Sequence, residues 1–192
     1  MDTCMYKGAS IEVMQDEFAD NPRQWGLGTI LSIDGANEVE EHLVRYVRED
    51  VNCGRSEKES LKAQFPDMVW FSKLYRYSHG ADVWALHDNF PDRRWDVSHA
   101  GYVVVTRKDI REWYGRQRIS QKLEDTIQDE VSRQLEEFTN WANGWVYEFR
   151  VEDSGVEDLD DIFYGGYNST EEALDNAKAM LDDYLEKEEQ YA

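Results

Sequence analysis

The chain has 192 residues, of which 41% are apolar, with forty-one Asp and Glu set against twenty-one Lys and Arg, a formal charge of −20. That charge argues against direct binding to DNA, RNA or an anionic membrane and favours a basic partner, whose approach it would accelerate. Seven Trp and eleven Tyr supply material for a core and argue against a disordered acidic chain, and no run of eighteen apolar residues exists to span a membrane.

In chain order, Ile11-Glu12-Val13-Met14 alternates as a strand, and Asp20-Asn21-Pro22-Arg23 reads as a turn. Trp25-Gly26-Leu27-Gly28 feeds a strand from Thr29 to Ile33, without the glycine spacing of a phosphate loop. Residues 38–50 form a helix with Val39, Leu43, Tyr46 and Val47 on one face, and a short helix follows near 57–64. Met68 to Tyr77 and Ala81 to His87 read as a hairpin across Ser78-His79-Gly80, followed by a loop from 88 to 96. Gly101 to Thr106, continuously apolar and rich in β-branched residues, is expected to be a central strand buried on both faces.

A short helix from 108 to 114 ends at Gly115. The longest helix, about 120–141, turns Leu123, Ile127, Val131, Leu135, Phe138 and Ala142 inward, with Asp129 and Arg133 placed to pair. Trp145, Tyr147, Phe149 and Val151 alternate as a half-buried strand, and Ile162 to Tyr164 adds another short one. The expected fold is α+β: one domain over 1–192, with an antiparallel or mixed sheet, helices packed on one face, and an acidic loop and C-terminal helix at 152–190.

The acidic end is the most distinctive stretch. From Val151 to Ala192 there are fourteen carboxylates against Lys178 and Lys187, so −12 of the −20 lies in under a quarter of the chain. Ser169-Thr170-Glu171-Glu172 is a capping box, behind which Ala173, Leu174, Ala177, Leu181, Tyr184 and Leu185 make one apolar stripe. The opposite face carries Glu172, Asp175, Asp182, Asp183 and Glu186. Residues four apart on a helix are separated by roughly 6 Å along its axis. Two steps along one DNA strand rise about 6.8 Å. A rigid row of carboxylates can therefore imitate a row of phosphates. The rival explanations are a solvated face that maintains solubility and adaptation to high salt; the wealth of Trp and Tyr speaks against the latter.

Chemistry is otherwise sparse. His42, His79, His87 and His99 match no metal-ligand spacing, though His87-Asp88 with His99 and Asp96 are candidates for convergence. Cys4 and Cys53 match no redox or metal motif and fit a reducing cytoplasm, with Cys53 at most a weak candidate nucleophile. Hydrolase, Walker and kinase signatures are missing, so no enzyme and no cofactor is expected. Arg107, Lys108, Arg111, Arg116, Arg118 and Lys122 run against the overall charge and are expected to neutralise acidic surface, within the fold or across a homodimer.

The segments Asp20 to Thr29, Ala81-Asp82-Val83-Trp84-Ala85-Leu86, Trp95-Asp96 with Gly101 to Thr106, and Ile110-Arg111-Glu112-Trp113-Tyr114-Gly115 together resemble a family of small uncharacterised proteins carried by bacteriophages and other mobile elements. The likeness covers roughly residues 11–165. Members often show a cysteine and proline before the Trp-Asp pair, where this chain has Asp92-Arg93-Arg94. The resemblance implies a phage accessory protein acting in a bacterial cytoplasm. Combined with the acidic row, it suggests a nucleic-acid mimic that inhibits a host defence or DNA-binding protein of the restriction or CRISPR type. The partner surface would centre on Asp158, Asp160, Asp161, Glu171, Glu172, Asp175, Asp182, Asp183 and Glu186. Two alternatives stand beside it. One is a metal-dependent enzyme of nucleotide or nucleic-acid metabolism, with metal held by Glu157, Asp158, Asp160 and Asp161. The other is an adaptor binding through Trp70, Tyr75 and Trp84 on an open sheet face.

Overall fold

A computed structural model describes residues 2–33, 38–91, 93–115, 121–155, 159 and 162–191. In chain order the elements are β1 (Asp2–Tyr6), β2 (Ala9–Gln15), β3 (Thr29–Ser32), α1 (Glu38–Asn52), α2 (Glu57–Gln64), β4 (Met68–Ser78), β5 (Asp82–Ala85), α3 (Arg93–Asp96), β6 (Val97–Thr106), α4 (Arg107–Tyr114), α5 (Gln121–Ala142), β7 (Tyr147–Glu152), β8 (Phe163–Tyr167) and α6 (Thr170–Tyr191). The fold is α+β, and every strand pairing is antiparallel. The expected single sheet is in fact two four-stranded sheets, ordered β1-β2-β7-β8 and β3-β6-β4-β5.

Contacts divide the chain into two compact units, one formed by Met1–Asn21 with Asn140–Ala192 and the other by Pro22–Thr139. In the first, β1 and β2 are joined by Lys7 and Gly8, both with positive φ (49° and 95°), the geometry of a two-residue hairpin whose twist matches its strands. β2 pairs with β7 in register from Ser10↔Glu152 to Gln15↔Tyr147. Alternation then puts Ile11, Val13, Phe149 and Val151 on one face, where they bury against Ala173, Ala177 and Leu181 of α6 and against Leu159. Leu174, Tyr184 and Leu185 flank this contact, so the apolar stripe read from the sequence is the one that packs. On the other face Arg150 bridges Glu12 and Glu152 at 2.7 and 2.6 Å.

In the second unit, β6 lies inside its sheet between β3 and β4 and Ala100 to Val105 are all buried, as its β-branched run predicts. Tyr102 and Val104 pack with Leu31, Val44, Val47 and Leu61 beneath α1 and α2. On β5, Trp84 packs against Phe138 of α5 with the rings tilted by 60° and their centroids 4.8 Å apart, and its backbone N–H donates to Thr139 Oγ1 at 3.1 Å. Capping boxes start α2 (Ser56 with Glu59) and α4 (Thr106 with Asp109), and Gly115 closes α4 in the left-handed region. Three sequence expectations change. Val39 is exposed, and α1 buries Val44 together with the expected Val47. Ala142 is exposed at the end of α5. Arg133 pairs with Glu130 and Glu137 rather than with Asp129, both lying within its reach on the same helical flank.

Leu181 is fully buried where α6 meets its sheet. Leu181→Ala is therefore expected to lower unfolding free energy by roughly 2–5 kcal/mol. Chemical denaturation followed by circular dichroism checks this.

Candidate partner interface

The acidic helix begins at the predicted cap, although Glu172 reaches back to the N–H of Asn168 rather than that of Ser169. Ser169 Oγ accepts from the Glu172 N–H at 3.1 Å, and the Glu172 carboxylate accepts from the Asn168 N–H at 2.9 Å. Glu172 thus serves as a cap, favourably placed at the positive end of the helix dipole. On either side of it along the helix, Glu171, Asp175, Asp183 and Glu186 face solvent. Asp183 pairs with Lys187 one turn on, at 2.6 Å, whereas Glu171, Asp175 and Glu186 have no hydrogen bond or ion pair among the described residues.

Asp182 has a different place. It turns toward the β1–β2 hairpin, where its carboxylate meets Lys7 Nζ at 2.8 Å and accepts from the Tyr6 hydroxyl at 3.1 Å. Lys178 lies 5.9 Å from the centre of the Tyr6 ring, which brings a second cation to this flank. The hydrogen bond from Lys7 holds the Asp182 carboxyl below its ordinary value, and the same contact raises Lys7. Tyr6 is raised chiefly by its hydrogen bond to Asp182. This clip fastens α6 to the hairpin, a role the sequence does not announce because its members lie some 175 positions apart.

A second concentration of negative charge lies in the same unit. Glu148 titrates above the ordinary glutamate value, first because it is partly buried and then because Asp16 and Glu17 stand nearby. A Cβ on Gly165 would fall 2.4 Å from Asp16 Oδ2, so the chain passes closely over this group.

Charge is strongly segregated between the two units. The unit of Met1–Asn21 with Asn140–Ala192 contains twenty Asp and Glu against four Lys and Arg, a net −16. Pro22–Thr139 is longer, yet its twenty-one acids meet seventeen bases, a net −4.

The other candidates fare unevenly. Asp158, Asp160 and Asp161, with Glu157, lie outside the described residues, as do Arg116 and Arg118. Among the described residues, no three His, Cys, Asp or Glu come together to hold a metal ion. His79 pairs with Asp96 at 3.0 Å, and His87 accepts from the Asn89 N–H. The proposed aromatic trio is separated. Tyr75 pairs with Ala85 and its neighbour Arg76 with Trp84, so alternation sends Tyr75 and Trp84 to opposite faces, and Trp84 is buried. Arg107, Lys108 and Arg111 are exposed on α4, where Lys108 approaches Glu112 at 3.8 Å. Cys4 and Cys53 are both free thiols. No helix among the described residues is long and apolar enough to cross a membrane.

Comparison of the chain with protein-family models, with curated proteins and with solved structures finds no match.

Two outcomes follow from the titrating groups. Asp182 contributes stability above the ordinary aspartate value of 3.8, and loses it as pH falls through its lowered folded value. Lys7 contributes below its ordinary 10.5, and loses it as pH rises through its raised folded value. Asp182→Asn is expected to lower the thermal midpoint between these limits and to flatten both flanks of its pH profile. Glu148 has the opposite sign: its raised folded pKa means that ionisation costs stability as pH rises above the ordinary glutamate value of 4.5. Glu148→Gln is expected to raise the midpoint at neutral pH, with the gain vanishing in acid, as read by calorimetry.

Proposed function

We propose that the unit of Met1–Asn21 with Asn140–Ala192 is a folded nucleic-acid mimic, and that the protein acts as a phage-type accessory factor in the bacterial cytoplasm. It inhibits a host defence or DNA-binding protein of the restriction or CRISPR type by occupying the basic surface that receives phosphates. The observation that carries this reading is the segregation of charge, −16 on the smaller unit against −4 on the larger. Acidity that served only solubility or salt tolerance has no reason to avoid the larger unit. Here it concentrates even where it costs stability, at Glu148 beside Asp16 and Glu17.

The contact surface runs along α6, from Glu171 and Asp175 to Asp183 and Glu186, and Asp158, Asp160 and Asp161, outside the described residues, are assigned to it from the sequence. Glu172 and Asp182 support it indirectly, as cap and clip. Burial of Ala173, Ala177 and Leu181 keeps the carboxylates at helical spacing, so their ordering is already complete before a partner arrives. No bond is made or broken. Long-range attraction speeds encounter, and interfacial ion pairs with Lys and Arg hold the complex.

The test uses the full chain carrying a tag, incubated with bacterial lysate at low salt and at about 0.5 M salt, where the screening length falls to a few ångströms. Capture of a nucleic-acid-binding complex, lost at high salt and competed by free duplex DNA, is expected. Reversing Glu171, Asp175 and Glu186 to Lys leaves these positions solvent-facing and the core untouched. The triple variant should keep its circular dichroism and lose affinity about a hundredfold or more, since like charges facing each other across an interface cost several kcal/mol. Full binding by the folded variant would overturn the proposal.

A further inference from the structure

Two segments that the sequence singles out, Trp25-Gly26-Leu27-Gly28 and Ile110 to Gly115, meet in the larger unit. Together they line a groove of about 260 Å³. Its walls carry Trp25 and Trp113, which are 50% and 42% exposed, together with Asp109 and Glu112. Both segments are rigidly seated. The Leu27 N–H donates to the buried Gln134 side chain at 2.8 Å, and Leu27 itself is buried. Gly28 has φ +81°, and a Cβ there would lie 2.5 Å from the Val104 carbonyl oxygen, so this turn accepts only glycine. On the other side, α4 is fixed by its Thr106–Asp109 capping box, by buried Ile110 and by Gly115. Asp109 and Trp113 are one helical turn apart and share a face.

The exposed indoles are therefore held out by a fixed backbone. The carboxylates beside them are incompletely used. Asp109 Oδ2 accepts from the Thr106 N–H and hydroxyl at 2.7 and 2.8 Å, while Oδ1 has no partner among the described residues. Among the described residues, Glu112 has only the loose, exposed approach of Lys108 at 3.8 Å.

We infer that this groove receives an arginine side chain of a basic partner protein. Two aromatic faces beside two carboxylates suit a planar cation. Guanidinium stacks on indole and donates to carboxylates in its own plane, which the compact, more strongly hydrated ammonium of lysine does less well. An anion would be repelled by Asp109 and Glu112, and a purely apolar group would leave them desolvated without compensation. The inference stands apart from the acidic-helix proposal, because none of its residues belongs to the acidic unit.

The experiment follows the indole N–H signals of the ¹⁵N-labelled full chain, assigned with Trp25→Phe and Trp113→Phe. The probes are a blocked Gly-Arg-Gly peptide and its citrulline counterpart, which keeps the shape and loses the charge. The Trp25 and Trp113 signals should move together and saturate with the arginine peptide, binding it about tenfold more tightly than the citrulline peptide. Glu112→Gln should weaken the arginine response with the rest of the spectrum unchanged, and the signal of Trp95, 83% exposed outside the groove, should stay still. Unmoved Trp25 and Trp113 signals, an equal response to citrulline, or an equal movement of Trp95 would each overturn the assignment. Because the reversed Glu171, Asp175 and Glu186 variant leaves the groove intact, its own result bears on the acidic helix alone.

Discussion

The contact between the α6 stripe and the β2–β7 pair is the constraint on which the acidic unit depends. Ala173, Ala177 and Leu181 are fully buried on Ile11, Val13, Phe149 and Val151, and the small side chains let the helix sit close to the sheet. Hydrophobic burial does not depend on ionic strength in the way that charge repulsion does. It can therefore hold together a unit of net charge −16 whose carboxylates push one another apart. The Tyr6–Lys7–Asp182 clip adds direction to that burial, tying the outer half of α6 to the hairpin.

The same balance explains why the acids divide into two kinds. Some are consumed by the fold: Glu172 as a cap, Asp182 in the clip, and Glu12 and Glu152 around Arg150. Others are left to solvent, among them Glu171, Asp175 and Glu186. A count of charges along the helix overstates the available surface, since only the second kind is open to solvent without giving up an internal contact. Glu148 lies between the two, partly buried beside like charges.

Much of the fold was legible in the sequence because its signals are local. The Ser169 cap of α6, the left-handed Gly115, the β-branched run of β6 and the stripe of α6 all concern neighbours in the chain. What escaped was long-range. Alternation identifies β2 and β7 as strands, but nothing in either announces a pairing across more than 130 residues, so two sheets read as one. β1 lacks a clean apolar alternation, and its only signal is the Lys7-Gly8 turn, whose meaning depends on a strand lying on both sides. The candidate surface was half visible. Helical periodicity placed the acids on α6, but the hairpin that claims Asp182 lies at the far end of the sequence. Trp25 and Trp113 are far apart in the sequence, and only the fold brings their segments to one groove.

The acidic unit is discontinuous, built from both ends of the chain around a contiguous insertion, Pro22–Thr139. Synthesis runs from the N-terminus, so β1 and β2 emerge first and wait while the whole of the larger unit is made and can fold. Their partner β7 and their cover α6 come last, after a loop closure of more than a hundred residues. Until then the apolar face of Ile11 and Val13 lacks its cover. The proposed contact surface thus assembles only once the residues after Asn140 have been made, and a chain interrupted there carries every residue of the larger unit while its acidic face is never assembled.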